Sequence, residues 1–233
     1  MSDQYDAAPK LDDLFRDLHA KFGHNISLCA SDLSKSVVAV EVRARATYQL
    51  GQTLANNPEL QGFRKLLANI LGEIFADTVV SVYLAGCALD NPAKILGRRV
   101  LELGVSVVYL WDQPSEFYGW YGFDKDLSFQ DMLEYIGSSS FRTFLEEDVG
   151  SVSTFDATVA SKLYRSLSNI VHGKMRTFES SLPGRFTYTK QDCEEYAELI
   201  GAVQVFLLKL WESRFPSEFK EMKKLLPALN GVK

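Results

Sequence analysis

Cysteine is scarce, with Cys29, Cys87 and Cys193 the three in 233 residues. An odd, scattered set argues against a disulfide framework and offers no CxxC pair of the kind that holds zinc. The chain reads as a protein of a reducing, intracellular compartment, with a cytoplasmic location and no bound metal or cofactor expected. Basic surplus is also missing. The 25 Lys and Arg against 30 Asp and Glu leave a net charge of −5, so any nucleic-acid binding must use a local patch rather than the whole surface. No run of about 18 apolar residues is free of charge, so no segment reads as a membrane span. The longest apolar runs, 78–85 and 104–111, read as buried helix faces. The opening MSDQYDAAPKLDDLF lacks a basic stretch followed by an apolar one and does not read as a signal peptide. Gly119-Trp120-Tyr121-Gly122 lacks the Lys-Ser/Thr ending of a phosphate loop, and no GxSxG elbow occurs.

What is present is an ordinary globular composition, 46% hydrophobic and 24% charged, enough to build a core without metal or disulfide staples. Helical periodicity dominates. Leu11, Leu14, Phe15, Leu18 and Phe22 keep helical spacing, with Gly23 as a stop. A second helix, capped by Asp32 or Ser34, runs to about Ala55, where Asn56-Asn57-Pro58 breaks the chain. A third runs from about Pro58 into 79–84, whose β-branched cluster is the main place for a hidden strand. Asp90-Asn91-Pro92 opens a fourth, with Asp90 or Asn91 as cap and Pro92 in its first turn. The segment 114–122, PSEFYGWYG, reads as an ordered loop packed by its own rings. Short helices near 128–136 and 140–147, an amphipathic helix ending at Gly173, a loop over 174–189 and a long helix over 191–213 follow. The expectation is an all-α bundle of long helices, one domain over 1–233, with a helical insertion near 114–150 and a tail helix over 216–233.

The amphipathic helix over 152–173 carries the functional signal. On a helical wheel Val159, Ala160, Leu163, Tyr164, Leu167, Ile170 and Val171 fill one arc. Lys162, Arg165, Ser168, Asn169 and His172 fall on the other. Arg165 and His172 are seven residues apart, so they point the same way to within about 20° and stand about 10 Å apart along the axis. An amphipathic helix presents a polar face whatever its role. This one differs in having no acid from 157 to 178, against four cations, Lys162, Arg165, Lys174 and Arg176. Arg, Ser, Asn and His are donors suited to holding a phosphodiester and moving its protons.

At this helix the sequence resembles the HEPN superfamily, helical-bundle proteins whose ribonuclease members carry Arg, four to six residues, then His late in the bundle. Tyr164-Arg165-Ser166-Leu167-Ser168-Asn169-Ile170-Val171-His172-Gly173 matches with six intervening residues. The residue after the Arg, often Asn, Asp or His in active members, is Ser166 here. The segment 88–111 resembles a helix of related families, in which an Arg and a Glu one turn apart precede an apolar run. There Asn91, Arg98, Glu102, Ser106 and Tyr109 share one stripe. Arg98 and Glu102 can pair to fix helix packing, or Glu102 can orient His172 or Arg165 across the bundle. The resemblance spans roughly 30–215 as pattern.

The resemblance implies a homodimer in which two such helices face one cleft and cleave RNA without metal. The 2′-hydroxyl attacks the adjacent phosphate, leaving a 2′,3′-cyclic phosphate and a 5′-hydroxyl. His172 would act as general acid or base and Arg165 would stabilise the phosphorane, with Ser168 and Asn169 adding hydrogen bonds. Lys162, Lys174 and Arg176 would guide the RNA backbone. Such nucleases serve antiviral defence or toxin–antitoxin systems, often restrained by an inhibitory protein partner. Two readings stand beside this one. The same helix can serve a noncatalytic module that binds a partner protein or a nucleotide, or the bundle can be a purely structural adaptor. Phe117, Tyr118, Trp120, Tyr121 and Phe123 suit base stacking, a buried cluster or a dimer contact. His19 and His24 lack further ligands at metal spacing and read as surface or packing residues.

Overall fold

The computed structural model describes residues 11–32, 35–60, 62–169 and 186–231, and every regular element among them is helical. In chain order these are α1 (Leu11–Ser31), α2 (Lys35–Ala55), α3 (Phe63–Gly86), α4 (Asp90–Asp112), α5 (Pro114–Phe123) and α6 (Phe129–Gly137), then α7 (Ser139–Phe144), α8 (Ala157–Ser168), α9 (Lys190–Arg214) and α10 (Pro216–Leu225). A π-helical turn over Leu145–Val149 follows α7, and a 3-10 turn over Pro227–Gly231 follows α10. The protein is an all-α bundle of long helices, and the β-branched cluster at 79–84 lies inside α3 rather than in a strand.

Side chains that accept from free backbone N–H groups start several helices. Ser128 accepts from the Asp131 amide, Ser138 from Phe141, Asp156 from Thr158 and Thr189 from Asp192. Pro114 and Pro216 open α5 and α10, where a missing N–H costs nothing. Four local expectations change. The segment 114–122 is helical, because Phe117 and Tyr121, one turn apart, stack with ring centroids 5.4 Å apart while Phe117 packs into the core. Gly23 does not stop α1, because the following turn is held by tertiary contacts of Asn25, Ile26 and Cys29. α4 takes Leu89 as its N-cap without a side-chain bond, and Asp90 is already in the first turn. α8 begins at Ala157 on Asp156. Ser151, Thr154 and Ser213 instead bond one another across to the end of α9, where Ser213 Oγ receives the Thr154 amide at 3.2 Å.

α2, α3, α4 and α9 form the centre. α3 packs between α2 and α4, α9 packs across α2 and α4, α8 rests on α4, α6 and α9, and α10 closes over α2 and α9. One hydrophobic cluster runs from Val40 to Leu229 and takes in Phe117, Met132, Leu133, Ile136, Phe141 and Leu145 from the 114–150 segment. α3 is long and apolar enough to cross a membrane by length and composition. Here it lies in the bundle, and its Asp77 pairs with Arg99 of α4. Burial pushes the Asp77 carboxyl above its ordinary range, against the pull of Arg99.

α4 and α9 approach closely at two glycines of α4. A Cβ at Gly104 would stand 2.5 Å from both Leu207 Cδ atoms, and one at Gly97 would stand 3.2 Å from the Tyr196 hydroxyl and Leu167. Across the same seam the Trp211 indole donates to the Gly104 carbonyl at 3.0 Å and the Tyr196 hydroxyl donates to the Ala93 carbonyl at 2.9 Å. The far ends of both helices are tied by Arg214, which donates to Asp112 at 2.6 Å and 2.9 Å while Tyr135 donates to the same carboxylate at 3.2 Å.

Gly104→Ala is expected to destabilise the fold by about 1–3 kcal/mol through overpacking. In urea unfolding, adding Leu207→Ala should recover part of that loss, so the double variant falls short of the sum of the singles. Burial also pushes the Tyr196 phenol above its ordinary value of 10.0. The folded chain therefore keeps a proton that the unfolded chain releases. This contribution is fully present below pH 10 and is lost as pH rises from there toward the folded value. Urea midpoints should fall more steeply above pH 10 in the parent than in Tyr196→Phe.

Candidate functional site

α8 is the shortest route from the sequence signal to a surface. Its buried side, Ala160, Leu163 and Leu167, sits on α4 and α9, with Leu167 against the notch at Gly97. Its open side carries Lys162, Arg165 and Ser166 to solvent. Ser166 Oγ donates back to the Lys162 carbonyl at 3.1 Å, an internal bond that leaves the Arg165 guanidinium unengaged among the described residues. Lys162 lies within electrostatic reach of the helix cap Asp156. That carboxyl is held below its ordinary value by the Thr158 amide and hydroxyl, helped by Lys162 and Arg142. The acid-free stretch thus begins just past an ionised cap, and Arg165, a turn further on, is the cation that faces solvent beyond its reach.

Ser168 and Asn169 do not share that exposure. Ser168 is 5% exposed, and its Oγ has no hydrogen-bond partner among the described residues. α8 is wedged against three other helices, so its buried arc is wider than the wheel implies. Asn169, half-buried, is the C-cap, and its amide donates to the Arg165 carbonyl at 3.1 Å. His172, Lys174 and Arg176 lie outside the described residues.

Glu102 is engaged on the neighbouring helix. Arg98 Nε donates to it at 2.9 Å. The same guanidinium donates through Nη2 to the Tyr164 hydroxyl at 2.5 Å and lies 4.6 Å from the Tyr164 ring centre. The other side of that ring stacks on Phe129 of α6, centroids 4.4 Å apart and planes 18° from parallel. Tyr164, read from the wheel as apolar, is thus a clamp that joins α4, α6 and α8. Glu102 reaches the α8 face through Arg98 and Tyr164, and no hydrogen bond or ion pair joins it to Arg165 among the described residues. Its carboxylate also borders a small cleft of about 180 Å³ under Trp120, Leu127 and Phe129. Of the rest of the stripe, Ser106 is buried and bonds the Leu103 carbonyl, and Tyr109 packs edge-on to Tyr135. Among the other aromatics, Tyr118, Tyr121 and Phe123 are exposed while Phe117 is core.

Two features have no counterpart in the sequence reading. An apolar cleft of about 520 Å³ opens between the approach to α8 and α9, lined by Phe155, Val159, Val205 and Phe206 with Lys209 at its edge. The scattered cysteines also converge: Cys29 of α1 and Cys193 of α9 have their sulfurs 3.5 Å apart, and Cys87, after α3, is close enough to Cys29 to feel its charge. Neither is signalled locally, since the cleft joins two separate segments and the thiols lie 164 residues apart. His19 and His24 are both exposed on α1. No family model, curated protein or solved structure matches this chain.

The Arg98–Tyr164 contact should carry measurable coupling. In a cycle of Arg98→Ala and Tyr164→Phe, unfolding is expected to yield a coupling energy of about 1 kcal/mol. Glu102→Gln alone should cost less than Arg98→Ala, since the arginine holds two partners and the carboxylate one.

Proposed function

We propose that the protein is a metal-independent endoribonuclease of the HEPN type, acting at a cleft formed by two copies of the chain. The observation that carries this reading is the Arg165 guanidinium, open to solvent on α8 and free of carboxylate partners among the described residues. A planar guanidinium binds two phosphate oxygens at once and stabilises the charge that gathers on them as a fifth bond forms at phosphorus. His172 moves the protons, taking one from the attacking 2′-hydroxyl or giving one to the departing 5′-oxygen, because an imidazole changes charge near neutral pH. The products are a 2′,3′-cyclic phosphate and a 5′-hydroxyl. Asn169 and Ser168 at the end of α8 support this face. Lys162, Lys174 and Arg176 draw in the RNA backbone. Glu102 acts as a positioning residue, steadying α8 through Arg98 and Tyr164. A cytoplasmic nuclease of this kind serves antiviral defence or a toxin–antitoxin pair, under the restraint of a protein inhibitor.

A second reading is a noncatalytic HEPN-like module that binds a partner protein or a nucleotide. The apolar cleft between the approach to α8 and α9 supports it, since about 520 Å³ falls within the usual range of ligand sites.

Purified protein incubated with mixed RNA in EDTA should release fragments with cyclic-phosphate ends. Arg165→Ala and His172→Ala should each slow that release by about 10²–10⁴-fold while circular dichroism and gel filtration stay unchanged. Cleavage equal in all three proteins, or absent from the parent, overturns the nuclease reading. In the second case, RNA or nucleotide binding that survives His172→Ala supports the module.

A further inference from the structure

Among the described residues, α1 meets the bundle through its C-terminal half. Its first three turns leave Leu11, Leu14 and Phe15 exposed, and its buried residues are Asn25 and Cys29 alone. Around them lies a compact anchor. Asn25 Nδ2 donates to the Cys87 carbonyl at 3.0 Å and to the Phe186 carbonyl at 2.9 Å. Phe22 meets Phe186 edge-on at 5.9 Å. Ile26 and Cys29 lie over Gly86, where a Cβ would stand 2.7 Å from Ile26 Cδ1 and 3.2 Å from Cys29 Sγ. At the end of the anchor Cys29 meets Cys193 in the first turn of α9.

We propose that Cys29 and Cys193 are an oxidisable dithiol, a modification site that a small-molecule disulfide of the glutathione type converts to a covalent tie between α1 and α9. Their sulfurs are 3.5 Å apart, and a disulfide needs about 2.05 Å, so closure brings them together by about 1.5 Å. The third thiol, Cys87, is buried just after α3, where burial pushes it up while Tyr83 pulls the other way. Among the described residues no group of three His, Cys, Asp or Glu side chains is arranged to hold a metal.

The exchange balances in two steps. One protein thiolate attacks the small disulfide, forming a mixed disulfide and expelling one small thiolate. The second protein thiolate then attacks the protein sulfur of that mixed disulfide, expelling the other small thiolate. The two protons lost by the cysteines end on the two small thiols, the protein is oxidised by two electrons, and the small disulfide is reduced by two. Burial, the Cys29 thiol and the nearby Asp90 and Glu194 carboxylates push the Cys193 thiol up to about 12. Both sulfurs are buried, so the exchange runs through openings of α1, and its product removes those openings.

The test uses the full chain, folded, in glutathione disulfide at mildly alkaline pH, followed by thiol alkylation and peptide mapping. The expected product has lost two hydrogens, links the Cys29 peptide to the Cys193 peptide and leaves Cys87 alkylated. Hydrogen exchange along the C-terminal half of α1 should slow by about tenfold or more on oxidation, and reduction should reverse it. Cys87→Ser should form the same link, and Cys193→Ser should not. A link from Cys29 to Cys87, stable mixed disulfides without a link, or thiols that react only after denaturation would each overturn the proposal.

Discussion

The rest of the molecule depends on how closely α4 and α9 approach. Two glycines seven residues apart, Gly97 and Gly104, remove side chains from one line of α4, and Tyr196, Leu207 and Trp211 of α9 fill the space. Helices that meet this closely bring backbone carbonyls within reach of ring donors, and the two α4 carbonyls on this seam take them. The seam fixes the rotation of α4 about its axis. With Gly97 and Gly104 turned toward α9, Arg98 and Glu102 are turned toward α6 and α8 and Arg99 toward α3. The clamp on Tyr164, and so the angle at which α8 offers Arg165, follows from that rotation.

Charge is used in a way that the net balance hides. Several cations are held by an acid, two of them with rings as well: Arg98 by Glu102 and Tyr164, Arg99 by Asp77, and Arg214 by Asp112 with Phe144 and Phe215 close by. Each tie joins two helices or two turns, and breaking one would leave a desolvated charge behind. Arg165 stands outside this system. With these inner arginines held in structural ties, Lys162 and Arg165 remain exposed on the acid-free side of α8 in a chain of net charge −5.

The long helices were legible because their signals are local. Apolar residues recur every three to four positions, and Ser128 and Pro216 mark starts that the structure keeps. The 114–122 segment was misread because Pro, two Gly and four rings look like a loop, whereas ring stacking one turn apart makes them a helix. Gly23 was misread because nothing near it in the chain reveals that Asn25 reaches Cys87 and Phe186. At α8 the wheel placed Arg165 and Lys162 on the open side. It put Ser168 there as well, since a wheel drawn for one helix cannot count how many neighbours press on it. The Tyr164 clamp and the meeting of Cys29 with Cys193 are products of tertiary packing, and spacing along one helix carries no trace of either.

The chain order of the central helices also bears on biosynthesis. α2, α3 and α4 are consecutive and pack side by side, so these two hairpins can close while the ribosome is still adding the later half. The helix that completes the seam starts at Lys190. Until it emerges, the row of Gly97 and Gly104 is an open apolar furrow on a nascent three-helix layer. Leu207 and Trp211 close that furrow when they arrive.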